Sequence, residues 1–156
     1  MPRETALRIL LEITEKGAYA DLAVKNGLAS SKLERRDKAL ATSLVYGTVQ
    51  NVRFIDYQIE SVSARPVKSL TPAIREILRM AVYQLRFMDR IPSRAAVNEA
   101  VNMAKRHAYS ASSYVNGVLR NILRRGFQLP ANLKERLAVE YSYPDFLVDM
   151  WMQQFG

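Results

Sequence analysis

The chain has 156 residues, 49% of them hydrophobic, with a formal net charge of +8, one histidine and no cysteine. That length and apolar content suit one compact domain with a core of its own, or one domain and a short part of another. The missing cysteines exclude disulfides, thiolate zinc sites and cysteine nucleophiles, and His107 cannot build a zinc site alone.

Taken in order, Ala6, Ile9, Leu10 and Ile13 recur at helical spacing and predict a first helix over Arg3–Lys16, with Gly17 as the residue that stops it. Glu4 and Glu12 interrupt the apolar residues there, so this N-terminus does not read as a signal peptide. Asp21 is placed to cap a short second helix ending near Gly27, and Ser30-Ser31 breaks it. A third helix starts near Leu33, with Leu33, Leu40, Leu44 and Gly47 on one stripe. A glycine in mid-helix costs up to ~1 kcal/mol against alanine, so Gly47 predicts a close helix crossing. Val52, Ile55, Ile59 and Val62 make a fourth amphipathic run, closed by Pro66.

Thr71-Pro72 reads as a helix start, Thr71 the cap and Pro72 the first helical residue. Ile74, Ile77, Leu78, Ala81, Val82, Leu85 and Met88 then follow the i, i+3, i+4, i+7 pattern closely. Arg75, Arg79, Tyr83, Arg86 and Arg90 lie along a stripe beside that face, within about 80° of arc. Tyr83 there either stacks on an unpaired base or sits at the edge of the core with its hydroxyl in water. Ile91-Pro92 ends this helix and Ser93 can cap the next, whose inward face is Ala96, Val97, Ala100, Val101 and Ala104. Ser112 or Ser113 can cap a further helix with Val115, Val118, Leu119, Ile122 and Leu123 inward and Asn116, Arg120 and Arg124 on a separate face. Gly126 and Pro130 stop it, and Lys134–Tyr141 and Pro144–Phe155 predict two more short helices. No segment alternates as a strand does, so the predicted fold class is all-α. No apolar run approaches the ~18 residues of a membrane span, and a soluble cytoplasmic protein is expected.

Charge is uneven along the chain. Between Arg79 and Gln128 nine basic residues (Arg79, Arg86, Arg90, Arg94, Lys105, Arg106, Arg120, Arg124 and Arg125) face only Asp89 and Glu99. The segments before and after are near neutral. A basic block dominated by arginine, whose guanidinium grips phosphate in a fork, points to a polyanion, in the first place a nucleic acid. Ordinary solvated helix faces are the plain alternative. Chemistry is absent: no glycine-rich strand-to-helix turn for a dinucleotide or S-adenosylmethionine, no phosphate-cradling loop, no partners for a histidine-based triad, and no metal-ligand cluster.

The blocks IPSRAAVNEAVNMAK (Ile91–Lys105) and SSYVNGVLRNI (Ser112–Ile122) resemble the signature of NusB-like all-helical domains. The resemblance runs from Arg3 to about Arg125. It implies two three-helix bundles packed across each other and a partner that is RNA or a protein of the transcription and translation machinery. RDKALATSLVYGTVQN (Arg36–Asn51) and YSYPDFLVDMWMQQFG (Tyr141–Gly156) narrow it to the N-terminal domain of a family of bacterial ribosomal RNA cytosine-C5 methyltransferases. Arg120 stands where free-standing NusB proteins tend to carry aspartate. The division then expected is a NusB-like RNA-binding domain over residues 1–128 and, over 129–156, the lead into a methyltransferase domain that this chain does not contain.

On that resemblance the chain itself is not catalytic. The thiolates that add to cytosine and the loop that holds S-adenosylmethionine both belong to the attached domain. The partners implied are 16S ribosomal RNA and that methyltransferase domain, and the isolated domain can form a homodimer. The aromatic before V-N-G, here Tyr114, is an RNA contact in the family, and it joins the nine basic residues of the block in the expected RNA-binding set. Only Arg3 and Arg8 remain of the basic N-terminal helix that also touches RNA there. Asn98, Glu99 and Asn116 match the motif and are expected either to serve binding or to hold the bundle together through hydrogen bonds to neighbouring helix ends. The other readings are a free-standing transcription antitermination factor acting as an adaptor, and a dimerising scaffold without RNA contact.

Overall fold

The computed structural model describes residues 1–142 together with Pro144, Met150 and Gln153. Among them are eight α-helices and no strand: α1 (Pro2–Lys16), α2 (Ala20–Ala29), α3 (Arg35–Gln50), α4 (Val52–Val62), α5 (Pro72–Phe87), α6 (Ser93–His107), α7 (Ser112–Arg125) and α8 (Leu133–Glu140). Helices α1, α2 and α3 pack on one another as a first bundle, and α5, α6 and α7 as a second. Helix α5 joins the two by packing on α1 and α3 as well, while α4 lies against α5, α7 and α8. The all-α reading and the two three-helix bundles hold. The predicted helix Pro144–Phe155 falls almost wholly outside the described residues.

The apolar stripes are the reason for this arrangement. Leu7, Leu10, Leu44, Ile55, Ile77, Leu78, Met103 and Leu119 are all below 2% exposed and form one core running through both bundles. Burying a side chain of this size contributes roughly 1.5–3 kcal/mol. Gly17 ends α1 in the left-handed region, at φ +69°, as its position predicted.

Gly47 explains itself through α5. A Cβ on it would lie 2.0 Å from Tyr83 Cζ, so the tyrosine ring occupies the space a side chain would need. Helix α2 runs to Ala29, two residues beyond the end expected near Gly27, and stops at Ser30, as the Ser30-Ser31 pair predicted. A Cβ on Gly27 would meet Ile9 Cγ1 at 2.4 Å, so Gly27 marks the crossing of α2 over α1.

None of the four predicted caps makes a side-chain bond to its helix end, although Thr71 and Pro72 take the cap and first-residue places expected of them. Thr71 holds the N-cap place of α5 without a side-chain bond, Ser93 lies one residue inside α6, and Ser112 Oγ donates to Tyr109 O. Asp21 sits within the first turn of α2 and accepts from the Tyr46 hydroxyl. The one side-chain cap among the described helices is Asn132, whose Oδ1 accepts from Glu135 N at 3.1 Å.

Candidate nucleic-acid interface

The arginine stripe of α5 does not face solvent along its length. Its first half borders α1 and α4, which bring carboxylates. Arg75 binds Glu15 at 2.6 Å and Glu76 at 2.5 Å. Arg79 grips both oxygens of Asp56 at 2.8 Å and reaches Glu76 at 3.0 Å. Glu76 is 1% exposed, and burial pushes its carboxyl and that of Asp56 above the usual carboxylate range in spite of the arginines beside them. The fork of Arg79 is therefore filled, and no phosphate contact is assigned to it.

One turn further on, Tyr83 covers Gly47 and stacks on Phe87, with ring centroids 5.5 Å apart. Of its two readings the packing one describes its surroundings. Beyond it α5 reaches the surface. The Arg86 guanidinium lies over three phenyl rings, Phe87 at 5.5 Å, Phe127 at 5.6 Å and Phe54 at 5.8 Å. Arg90 is exposed on the turn from α5 into α6 and Arg94 on the first turn of α6, and neither has a side-chain partner among the described residues.

Helices α6 and α7 pack together and are joined by residues 108–111. The C-terminal end of α7 lies beside that of α5, since Phe127, two residues past α7, sits 5.6 Å from the Arg86 guanidinium. Arg120 donates to Asn116 at 3.2 Å, Arg124 to Asn121 at 2.5 Å and Arg125 to the Ser61 carbonyl at 2.8 Å. All three acceptors are neutral, so these three positive charges have no carboxylate partner among the described residues.

Six members of the predicted set gather in this way around one end of the second bundle. The others do not join them. Lys105 is exposed at the far end of α6. Arg106 binds Glu4 at 2.8 Å, and His107 meets the same carboxylate at 3.0 Å. Burial raises the Glu4 carboxyl, but the hydrogen bonds from His107 and Arg106 outweigh it and hold the group below the usual range. Tyr114 stands on the first turn of α7, its hydroxyl 2.7 Å from Ser63 Oγ and Arg65 5.7 Å over its ring. Asn98 is exposed, and neither it nor Glu99 hydrogen-bonds through its side chain among the described residues, so they do not tie the bundle together. Asn116 serves Arg120 instead of a neighbouring helix end.

Sequence reasoning missed the phenylalanines. Phe87 and Phe127 are 39% and 36% exposed, yet both belong to the basic end. The available signal was that Phe87 falls off the inward stripe of α5 and directly follows an arginine. A groove of about 330 Å³ between α1 and α2, lined by Arg8, Ile9, Leu22 and Asn26 among others, contains none of the predicted set. Among the described residues no group of His, Asp and Glu converges as a metal site.

An all-helical protein of two crossed three-helix bundles, arginine-rich at one end, is the class that fold and surface define. The chain belongs to the NusB family, whose model matches residues 1–124. It is 37% identical over 99% of its length to the probable ribosomal RNA small subunit methyltransferase B of Bacillus subtilis, of which it spans 35%. It is 32% identical to the transcription antitermination protein NusB of Clostridium acetobutylicum, aligning 78% of this chain with 91% of that protein. Its fold is that of NusB in a solved structure of antitermination factors NusB and NusE in complex with dsRNA, with a TM-score of 0.74 at 24% identity over 80% of this chain and 95% of that one. The chain spans about a third of the length of the methyltransferase relative it matches.

Proposed function

We propose that this chain is the RNA-binding, non-catalytic N-terminal part of a cytoplasmic 16S ribosomal RNA (cytosine-C5) methyltransferase, and that it positions the RNA for an attached catalytic domain. The observation that carries the reading is the match of nearly the whole chain to one third of a ribosomal RNA methyltransferase, including the stretch beyond residue 124 where the NusB model stops. The six arginines at one end supply the phosphate contacts. S-adenosylmethionine and the reactive thiolates are assigned to the attached domain. The residues here do not fit them, since the chain has no cysteine and no glycine-rich turn after a strand among its described residues. No methyl-transfer step is therefore ascribed to this chain.

The test is the salt dependence of binding to a single-stranded 16S RNA fragment. If about five phosphates are neutralised, affinity falls on the order of a hundredfold between about 50 and 200 mM salt, because each contact releases a counterion. An affinity flat over that interval removes the phosphate-contact reading. A second reading, a free-standing antitermination factor, is favoured by the 91% coverage of the Clostridium protein. The coding sequence after Gly156 separates the two: a continuation into a domain with paired cysteines supports the methyltransferase, and a stop codon supports the factor.

A further inference from the structure

We propose that Phe87 and Phe127 form a stacking platform for an unpaired RNA base, so that this end of the molecule selects single-stranded over duplex RNA. The inference rests on the RNA-binding reading above and names the kind of RNA the site takes.

Two large aromatic rings left open to water are an apolar expense on an arginine-rich surface, and they are not loosely held. Phe87 is backed by Tyr83, which fills the space over Gly47, and it meets the buried Phe54 edge-on at 5.7 Å. Phe127 also packs on Phe54, with ring centroids 5.9 Å apart. The segment bearing Phe127 is clamped by Gln58, a wholly buried amide. Its Nε2 donates to Gln128 O at 2.8 Å, and its Oε1 accepts from Gln128 N at 2.7 Å. Gly126, at φ +80°, turns the chain off α7 into that clamp. The rings are thus fixed before any ligand arrives, and Arg86 lies over both.

Charge chooses the occupant. Among the described residues, Arg90, Arg94, Arg124 and Arg125 flank the rings in the chain, with Asp89 the acidic residue between Phe87 and Arg90, a surrounding that favours a phosphate backbone over an apolar protein face. Fixed aromatic rings among arginines hold bases by their π-faces while the guanidinium groups follow the backbone. In a duplex those faces are already stacked and out of reach. Gln58 is a positioning residue here, acting through Phe127.

The experiment uses this chain and a single-stranded oligoribonucleotide of about ten nucleotides, a length within the site sizes usual for such surfaces, carrying one 5-iodouridine, and the same strand annealed to its complement. The expected results are preference for the single strand, a photo-crosslink mapping to Phe87 or Phe127, and roughly fivefold to thirtyfold weaker single-strand binding by F87L and by F127L. Leucine keeps apolar cover over Phe54, and unchanged melting temperatures identify these losses as losses of contact. R94A and R124A are expected to weaken single strand and duplex alike. Equal affinity for the two RNAs, crosslinks mapping elsewhere, or phenylalanine variants binding within about twofold of the parent each overturn the platform while RNA binding itself stands. The last of these would mark the rings as a protein contact. A parent chain that binds neither RNA overturns both readings.

Discussion

Arg79 and Arg86 stand two turns apart on one helix and have opposite fates. Arg79 meets Asp56 from α4 and Glu76 from its own helix, while exposed Arg86 meets phenyl rings and no carboxylate among the described residues. Removing Arg79 strips Asp56 of its cation and leaves the buried Glu76 to Arg75 alone. R79A is expected to lower unfolding free energy by about 3 kcal/mol, read by urea denaturation, with RNA affinity unchanged where the variant is folded. Thr48 is the reverse case. Its hydroxyl is buried without a hydrogen-bond partner among the described residues, and Val has nearly its shape. T48V is expected to raise stability by about 1 kcal/mol, and a loss of stability would show that the hydroxyl has a partner.

At the scale of elements, tight crossings are set by glycine and by buried polar clamps. G47A puts a methyl into the ring of Tyr83 and is expected to cost about 2 kcal/mol, seen as a lower melting temperature, which Y83A in the same chain should partly restore. The clamp between α1 and α6 is electrostatic, formed by Glu4 with Arg106 and His107. Because the folded Glu4 carboxyl sits below the usual range, its contribution is full above the unfolded value of about 4.3 and disappears as pH falls through the folded one. Glu76 and Asp56 have the opposite sign. Their carboxyls are raised by burial, so protonation as pH falls from neutral toward about 4 favours the fold. Denaturant stability measured against pH should therefore hold or rise on mild acidification and decline below about 4, with E4Q flattening the decline.

For the whole molecule, the consequence of the fold is to separate charges that are neighbours in the chain. Arg94 and Arg106 share α6, yet Arg94 joins the open basic end while Arg106 is spent on Glu4 at the other. Only the first should matter for RNA. Replacing Arg90 and Arg94 together by alanine is expected to reduce the slope of log K against log salt by about 1.4, roughly 0.7 for each single-strand phosphate contact. The same change in Lys105 and Arg106 should leave the slope as it was.

Much of this was legible in the residues. Helical periodicity is a property of near neighbours, so the helices, their inward stripes and the turn at Gly17 follow from local spacing. Two of the expected cap bonds are replaced by competing partners, Tyr109 O for Ser112 and the Tyr46 hydroxyl for Asp21. The amino-acid sequence by itself determined an all-helical protein with a NusB-like motif pair and a positive segment in its second half. Tertiary structure alone decided which of those charges remain free and which rings stand beside them. Asp56 lies 23 residues from Arg79, and Glu4 lies 102 from Arg106. A buried or half-buried carboxylate has to be paired, and whatever cation the fold brings to it is lost to any other partner.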